Sequence, residues 1–540
     1  MQVTVAPLEE KSEGLAYKWV VAIVIVIGLF MTILDSTIVN TAIPKLETSF
    51  GVNLTGVQWV LTAYTLAQGV ATPLTAYLAS RIGNKRLYLV SLLGFTLGSA
   101  LCGLAWSLPT LILFRVLQAV FGAFISPLAI TLLYNEFPPE ERGTAIGFLG
   151  VPLLLGPALG PTLGGYLVTY TGWPLIFYVN VPVGIVGLIL AMIYLHDSPA
   201  HPVRFDLWGF IFASTGLAAL LYGLSSAEGD GWGSVTVTGC IAGGILLLII
   251  FVMLEITRVK QEKSVLLDLR VFANLTFTTS QIAASLVIFA LYGGLFVVPV
   301  YLQNLRGDSA FQSGLLLLPG SLCSMVAVVL GGRLVDKLGV RAVVIPGLFI
   351  LGLALYLLTA VSPYEPYSQM QIALCIRGFG LGLCLQPLIV SALSEIKPQL
   401  LAQASAVNTT LRFVVSSLAI SVISTYVTAQ TTLHYAHIAE TAIPTSPLGH
   451  LITLLEAAFI SKGYPVPSAL SAAAYEVSLL VQRQAAVEAI SDVFWLTLIL
   501  SGVAVVATIF VGGFKKKRPI LEESLTDEEK IARDEAAMAI

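Results

Sequence analysis

Long apolar stretches alternate with short polar segments along the whole chain of 540 residues. Each stretch has about 20 or more residues with few charges, and an α-helix of that length crosses roughly 30 Å of hydrocarbon. The pattern therefore predicts an all-α polytopic membrane protein with fourteen transmembrane helices. Their bounds are about 18–44, 56–79, 86–106, 108–133, 143–169, 174–195, 205–226, 234–256, 273–303, 311–335, 341–361, 368–393, 401–428 and 490–513.

Composition supports the membrane assignment. The chain is 56% hydrophobic and 11% charged, and its mean hydropathy is +0.89. No soluble core is large enough to bury that much apolar surface. All five cysteines fall within the predicted spans, so we expect neither disulfides nor a metal site, and no cofactor. The net charge of −3 gives no support for nucleic-acid binding.

The positions of Lys and Arg predict the orientation. With the N-terminus inside, most of the 28 basic residues fall on the cytoplasmic side. The exceptions are Lys45, Arg306, Lys462 and Arg483 outside, and Arg115, Arg377 and Arg412 within the bilayer. Both termini are then cytoplasmic, with tails at 1–17 and 514–540 and an even number of helices between them. The polar start carries no signal-peptide cleavage pattern.

Two regions of the chain repeat each other. Ala76 to Arg86 closes the second predicted span and Gly332 to Arg341 closes the tenth, with matching glycines followed by basic residues. Duplicated halves are the usual architecture of secondary transporters, whose substrate site lies between the halves. We predict six-helix bundles at 18–195 and 273–513, with two extra helices and linkers at 196–272.

The longest outside segment, at about 429–489, is predicted to be an extracytoplasmic loop. Within it, 451–463 and 475–490 show helix-period apolar positions. Pro465 and Pro467 lie between them and interrupt the pattern. We therefore expect two short amphipathic helices here, which lie against the membrane face or the protein.

Seven stretches, taken together, resemble the major facilitator superfamily and, within it, the fourteen-helix bacterial drug:proton antiporters. The stretches are LDSTIVNTAIP (34–44), RVLQ (115–118), FPPEERGTAIG (137–147), GPALGPTLGGY (156–166), IFYVNVPVG (176–184), VYLQNLRG (300–307) and GLLLLPG (314–320). They occupy both halves of the chain. The resemblance implies two pseudo-symmetric bundles of six helices plus two central helices, with no enzymatic activity.

Asp35 is the one carboxylate deep inside a predicted span. A charge at the centre of a membrane helix costs roughly 2.5–3.5 kcal/mol even on the most lenient scale. By helical rise, Asp35 and Arg115 lie roughly 14 and 10 Å from the outer surface, so the two side chains can meet. By resemblance they match the family's first-helix acid and fourth-helix arginine, which implies proton coupling. A fixed pair that only braces two helices is the alternative.

Coupling follows from the two forms of Asp35. Burial favours the neutral acid, whereas Arg115 or a bound cation favours the carboxylate. A substrate arriving from inside then expels the proton, and a proton arriving from outside expels the substrate. On this hypothesis proton and cargo compete for one site.

The fifth span carries a glycine–proline motif. Gly156, Gly160 and Gly164 recur every four residues, which allows another helix to approach closely. The remaining motif positions are Pro157, Pro161 and Gly165. By resemblance this is the antiporter motif; a plain packing seam of small residues is the alternative.

A second motif lies in the cytoplasmic loops. By resemblance it forms a gate of Arg81, Gly83, Lys85, Arg86, Asp336 and Arg341. The first copy departs from the family, since Ser80 replaces the usual Asp and Ala76 the usual Gly. We expect a weaker latch there, with Asp336 holding the second copy. Basic residues that only set orientation are the alternative.

Aromatic and amide side chains near the midplane suit amphipathic molecules, including cations that sit on rings. The candidates are Gln58, Tyr64, Gln68, Gln118, Phe124, Gln281, Tyr292, Phe296, Tyr301 and Gln303. For each, packing is the alternative. Arg377 and Arg412 have no intramembrane acid to pair with, and structural bracing and anion contact remain open for both. Because no second acid exists in the bilayer, we expect hydrophobic monocations or neutral amphipaths rather than dications.

The favoured function is proton-driven export of hydrophobic drugs or similar compounds across the cell membrane, by a monomer whose partners are the substrate, protons and the lipid bilayer. Dedicated export of an endogenous lipid, siderophore or metabolite, and a non-transporting sensor or scaffold, are alternatives. A periplasmic adaptor stays possible. An ATP-driven pump is disfavoured because no GxxxxGK[ST] loop occurs.

Overall fold

A computed structural model describes residues 17–52, 54–197, 204–261, 263–360, 362, 366–441 and 445–511. These residues form helices and connecting turns, without a β-strand among them. The predicted tails lie outside this part of the chain, except for Tyr17. The α-helices are α1 (Tyr17–Ile38), α2 (Ile43–Phe50), α3 (Leu54–Ala71), α4 (Leu74–Ile82), α5 (Asn84–Gly103), α6 (Leu108–Glu136), α7 (Arg142–Tyr170), α8 (Leu175–Tyr178), α9 (Asn180–Tyr194), α10 (Leu207–Asp230), α11 (Val235–Lys260), α12 (Leu275–Val300), α13 (Ala310–Leu338), α14 (Val340–Thr359), α15 (Tyr367–Ser394), α16 (Leu401–Glu440), α17 (Pro447–Ser461) and α18 (Val466–Ile509).

Twelve helical segments of the described residues are long and apolar enough to cross a membrane. Two of the predicted spans are not among the twelve: the second, which is α3 and α4, and the fifth, which is α7. The second is interrupted at Thr72 and Pro73, since proline has no N–H to continue the helical hydrogen bonds. The chain is a multi-pass membrane protein, and the count of fourteen stays a prediction.

Matching turns mark the two halves. Gly83 joins α4 to α5 with φ +89°, and Gly339 joins α13 to α14 with φ +85°. Positive φ at both positions explains the glycine shared by the two sequence repeats. The N-terminus of α7 and the C-terminus of α13, which carry Arg142 and Lys337, meet at one end of the bundle, here named the basic end.

The extra helices α10 and α11 form a hairpin that contacts both halves. Tyr222 of α10 stacks on Trp59 of α3 with ring centroids 5.8 Å apart. The Trp232 indole in the hairpin turn donates to Thr425 Oγ1 of α16 at 2.8 Å. At the other end of the hairpin Asp206 caps α10 and pairs with Arg258 at 3.1 Å. The helical hairpin of α10 and α11 therefore lies against the boundary between the bundles.

In the segment at 429–489 the helix bounds differ from those expected, and its extracytoplasmic location stays a prediction. The helix α16 continues to Glu440, and α18 begins at Val466 and runs unbroken to Ile509. Helix α17 agrees with the first expected amphipathic helix, whereas the second is part of α18. Pro467 does not break α18, because proline is tolerated in the first turn of a helix, where the N–H has no intrahelical partner.

Candidate functional site

Asp35 lies at the meeting point of α1, α6 and α9. Its Oδ2 accepts a hydrogen bond from Arg115 Nη1 at 2.6 Å. Its Oδ1 accepts from Gln118 Nε2 at 2.9 Å and from Asn180 Nδ2 at 2.8 Å. Asp35, Arg115 and Gln118 have no solvent exposure and Asn180 has 1%. Three donors thus take the place of the water that this carboxylate lacks.

The Arg115 guanidinium is held on several sides. Its Nη1 also donates to Gln118 Oε1 at 2.8 Å, and its Cζ lies 3.8 Å from the centre of the Tyr64 ring. Phe177 is a second ring, 5.6 Å away. Arg115 Nε and Nη2 find no hydrogen-bond partner among the described residues. The charge is thus balanced by one carboxylate and by the faces of two aromatic rings.

Asn180 completes this cluster, and its role was not predicted from the sequence. It belongs to the stretch IFYVNVPVG. Its amide also donates to Ser99 Oγ at 3.2 Å, and Ser99 in turn donates to the carbonyl oxygen of Phe177 at 2.9 Å. A lone amide in an otherwise apolar run was the signal available, since a buried amide needs partners.

A cavity of about 540 Å³ lies between the two bundles. Its volume is in the range of sites for drug-sized molecules. Its walls extend from Asn40, Thr41 and Gln303, at the end remote from the basic end, to Leu29 and Gln281 deeper in the protein. At the inner side Gln281 Nε2 donates to Asn408 Oδ1 at 2.9 Å.

Half of the predicted cavity residues line this space. They are Gln68, Gln281, Tyr292, Phe296, Gln303 and Arg412. Arg377 lines a smaller neighbouring pocket. The remaining five lie elsewhere, because the helices turn these side chains into the protein or away from it. Tyr64 and Gln118 belong to the Asp35 cluster, Phe124 is in the core, Tyr301 is buried with its hydroxyl on the Ser362 carbonyl, and Gln58 is exposed.

Asp35 itself does not line the cavity. Its neighbours Thr32 and Ser36 do, so the carboxylate lies just behind the wall. One chain of contacts joins the two. Gln68 lines the cavity and donates to the Tyr64 hydroxyl at 3.0 Å, and the Tyr64 ring covers Arg115. In this conformation a molecule in the cavity would therefore have no direct contact with Asp35.

The glycines of α7 pack against α1. A Cβ at Gly156, Gly160 or Gly164 would overlap Ile33, Thr37 or Thr41, respectively. Ile33 and Thr37 lie on α1, and Thr41 lies four residues further on, in the 3₁₀ turn Val39–Ala42 that follows α1. Thr37 Oγ1 also donates to the Gly156 carbonyl at 3.1 Å. Gly165, in contrast, has open space around its Cα. The side chains of Pro157 and Pro161 lie outside the described residues.

Asp336 joins the two halves at the basic end. Its Oδ1 accepts from Gly143 N at 2.7 Å, and its Oδ2 accepts from Thr144 N at 2.8 Å and from Thr144 Oγ1 at 2.6 Å. The carboxylate thus caps the N-terminus of α7, where backbone N–H groups attract negative charge. Close by, Gly332 contacts Gly143 so tightly that neither position has room for a side chain.

The corresponding contact in the first half is different. The Ser80 hydroxyl donates to Ala76 O of its own helix at 2.9 Å, and Arg81 donates to the Tyr77 hydroxyl at 2.6 Å. Arg341 donates to the Val511 carbonyl. Among the described residues Lys85 and Arg86 have no ion pair, and no group of His, Cys, Asp or Glu is arranged to hold a metal.

The packing of α7 on α1 gives a first test. Gly160→Ala should lower the heat-unfolding midpoint of the purified protein, because overpacking a tight contact costs roughly 1–3 kcal/mol. Gly165→Ala is the matched control from the same motif. It should leave the midpoint unchanged or slightly raised, since Ala favours helix over Gly. Equal effects of the two substitutions would show that the close approach of α1 is not what the motif provides.

The Asp336 contact gives a second test. Asp336→Ala should open the basic end, because hydrogen bonds to a charged group are worth roughly 1.5–3 kcal/mol each. The separation of the halves is measured by pulsed electron paramagnetic resonance between spin labels at Glu140 and Leu338, in a background without native cysteines. The distance distribution should gain a longer component in Asp336→Ala but not in Lys337→Ala. An unchanged distribution in Asp336→Ala would contradict the assigned latch.

Comparison with known proteins agrees with this architecture. The family model described as Major Facilitator Superfamily matches residues 25–420. The "Uncharacterized MFS-type transporter YhcA" of Bacillus subtilis is 37% identical over 79% of each chain. The "Multidrug resistance protein B homolog" of Mycobacterium tuberculosis is 32% identical over 75% of this chain and 76% of its own. The solved structure of the proton:xylose symporter XylE matches with a TM-score of 0.57, at 14% identity, over 92% of this chain and 97% of its own. The chain therefore belongs to the major facilitator superfamily of membrane transporters.

Proposed function

We propose that this transporter is a proton-coupled antiporter that exports hydrophobic or amphipathic compounds across the cell membrane, with both termini in the cytoplasm. The observation that carries the proposal is the fully buried Asp35 carboxylate, held by three side chains just behind the wall of a drug-sized cavity. Export is supported by the relative whose name describes multidrug resistance.

The geometry supports an indirect form of competition. Protonation of Asp35 removes the negative charge that holds Arg115. The neutral carboxyl group also accepts fewer hydrogen bonds through Oδ1 and Oδ2 than the carboxylate does. Arg115 is then free to move relative to Tyr64, and Tyr64 moves Gln68 in the cavity wall. Cargo and proton thus favour different arrangements of α1, α3 and α6, and each lowers the affinity for the other by the same factor.

The conformation fits one step of such a cycle. The bundles are joined at the basic end by Asp336, and the cavity extends to the remote end. With the basic end in the cytoplasm, this is the outward-facing state. Cargo leaves from this state, and the ionised Asp35 is ready to accept a proton from outside.

Asp35→Asn tests the proposal directly. In proteoliposomes with an imposed pH gradient, uptake of fluorescent amphipaths should fall to the level of protein-free vesicles, because the amide cannot carry the proton. Exchange of labelled for unlabelled amphipath without a gradient should persist, since the cavity walls are unchanged. A panel of amphipaths in the same vesicles separates broad drug export from a dedicated cargo.

A matched control is available in Asp206, which is also buried and also paired with an arginine. It lies at the α10–α11 hairpin, away from the cavity. Asp206→Asn should retain gradient-driven uptake. Undiminished uptake by Asp35→Asn, or equal loss in both variants, would refute the role of Asp35.

A further inference from the structure

The charge of the cavity wall is unbalanced. Among the described residues that line the main cavity, Arg412 is the only one with a formal charge. The other polar positions are amides, hydroxyls and one phenol, and the rest of the wall is apolar. The nearest acid of the mechanism, Asp35, is sealed behind the wall and neutralises Arg115. A molecule in the cavity therefore meets a single positive charge.

The three intramembrane arginines differ in the groups that accept their hydrogen bonds. Arg115 has the carboxylate of Asp35. Arg377 Nη2 donates to the carbonyl oxygens of Ala290 and Leu291 at 2.8 and 2.7 Å, so bracing of α12 accounts for it. In the described part of the chain the Arg412 guanidinium has only a long contact, 3.5 Å from Nη2 to Ser126 Oγ, and no ion pair.

The Arg412 guanidinium has fewer hydrogen-bond acceptors around it than its donors can use. A guanidinium presents five N–H donors, and an unpaired charge within a bilayer is costly. On α16, Asn408 and Ser416 lie four residues before and after Arg412 and also line the cavity. Positions spaced by four share one helix face. The rings of Tyr292 and Phe296 on α12 line the same cavity.

We propose that the preferred cargo is an amphipathic organic anion, whose carboxylate or sulfonate binds Arg412 and whose apolar part packs against Tyr292 and Phe296. The assignment rests on the proposed function and names the substrate class of the same cavity. It differs from the hydrophobic monocations or neutral amphipaths expected from the sequence. That expectation depended on Asp35 as the one intramembrane acid, and in the structure its carboxylate is paired with Arg115.

Three dansyl compounds provide a matched test, because they share one fluorophore and differ in charge. Dansylglycine carries a carboxylate, dansylglycinamide is neutral and dansylcholine is a cation. Binding to the purified protein in detergent is followed by the rise in dansyl fluorescence, without any gradient. Wild type should bind the anion most tightly and the cation least.

Variants then locate the effect. Arg412→Gln should weaken dansylglycine binding roughly ten- to a hundredfold, the range expected for hydrogen bonds to a charged group, and should change dansylglycinamide binding by less than about threefold. Arg412→Lys should retain most of the preference for the anion, because it keeps the charge. Ser126→Ala should have a small effect, because the charge remains in place.

The outcomes separate this inference from the antiport mechanism. Equal affinities, tightest binding of the cation, or binding of none of the three by wild type would overturn the anion assignment. So would an Arg412→Gln variant that loses all three probes equally. The order of the wild-type protein's affinities for the three probes tests the anion assignment even where a variant fails to fold. Because this binding needs no gradient, a failure of Asp35-dependent coupling would leave an anion preference intact, and the reverse also holds.

Discussion

A carboxylate that is buried away from water needs hydrogen-bond donors from the protein, and Arg115, Gln118 and Asn180 supply them to Asp35. This cluster fixes how α1, α6 and α9 meet, because removing one partner of a buried ion pair typically costs roughly 3–5 kcal/mol. Ile33 and Thr37 of the same helix α1, together with Thr41 in the turn that follows it, pack against the glycines of α7. The position of α1 is therefore set by charge on one side and by close packing on the other.

The cluster also separates the ionisable group from the cavity. The ionisable group lies behind the wall, and the cavity in front of it carries the one cation Arg412 among its described lining residues. On the proposed mechanism, proton and cargo then influence each other only through side chains that move, of which Gln68 and Tyr64 are the nearest. Such an arrangement leaves the walls free to accept varied amphipaths, because the coupling chemistry does not depend on contact with any particular cargo group.

The predicted spans and the similar depths of Asp35 and Arg115 could be derived from the sequence, because both depend only on the order of residues along the chain. Apolar length predicts the spans, and helical rise places Asp35 and Arg115 at similar depth. What the sequence could not supply is the direction in which each side chain faces once helices pack. Gln118 and Tyr64 therefore join Asp35 instead of the cavity, and Gly165 turns away from α1 while Gly164 contacts it. The helix ends within 429–489 could not be predicted for another reason: helices can extend beyond the hydrocarbon, so hydropathy alone does not mark their ends.

The most direct measurement is the number of protons released when cargo binds to the purified protein in weakly buffered detergent solution, followed with a pH indicator over a series of pH values. The probe must not titrate in that range. If Asp35 carries the coupling proton, cargo binding releases protons from wild type and none from Asp35→Asn, although both bind the probe. Equal proton release by the two proteins, or binding to wild type without any release, would contradict the account.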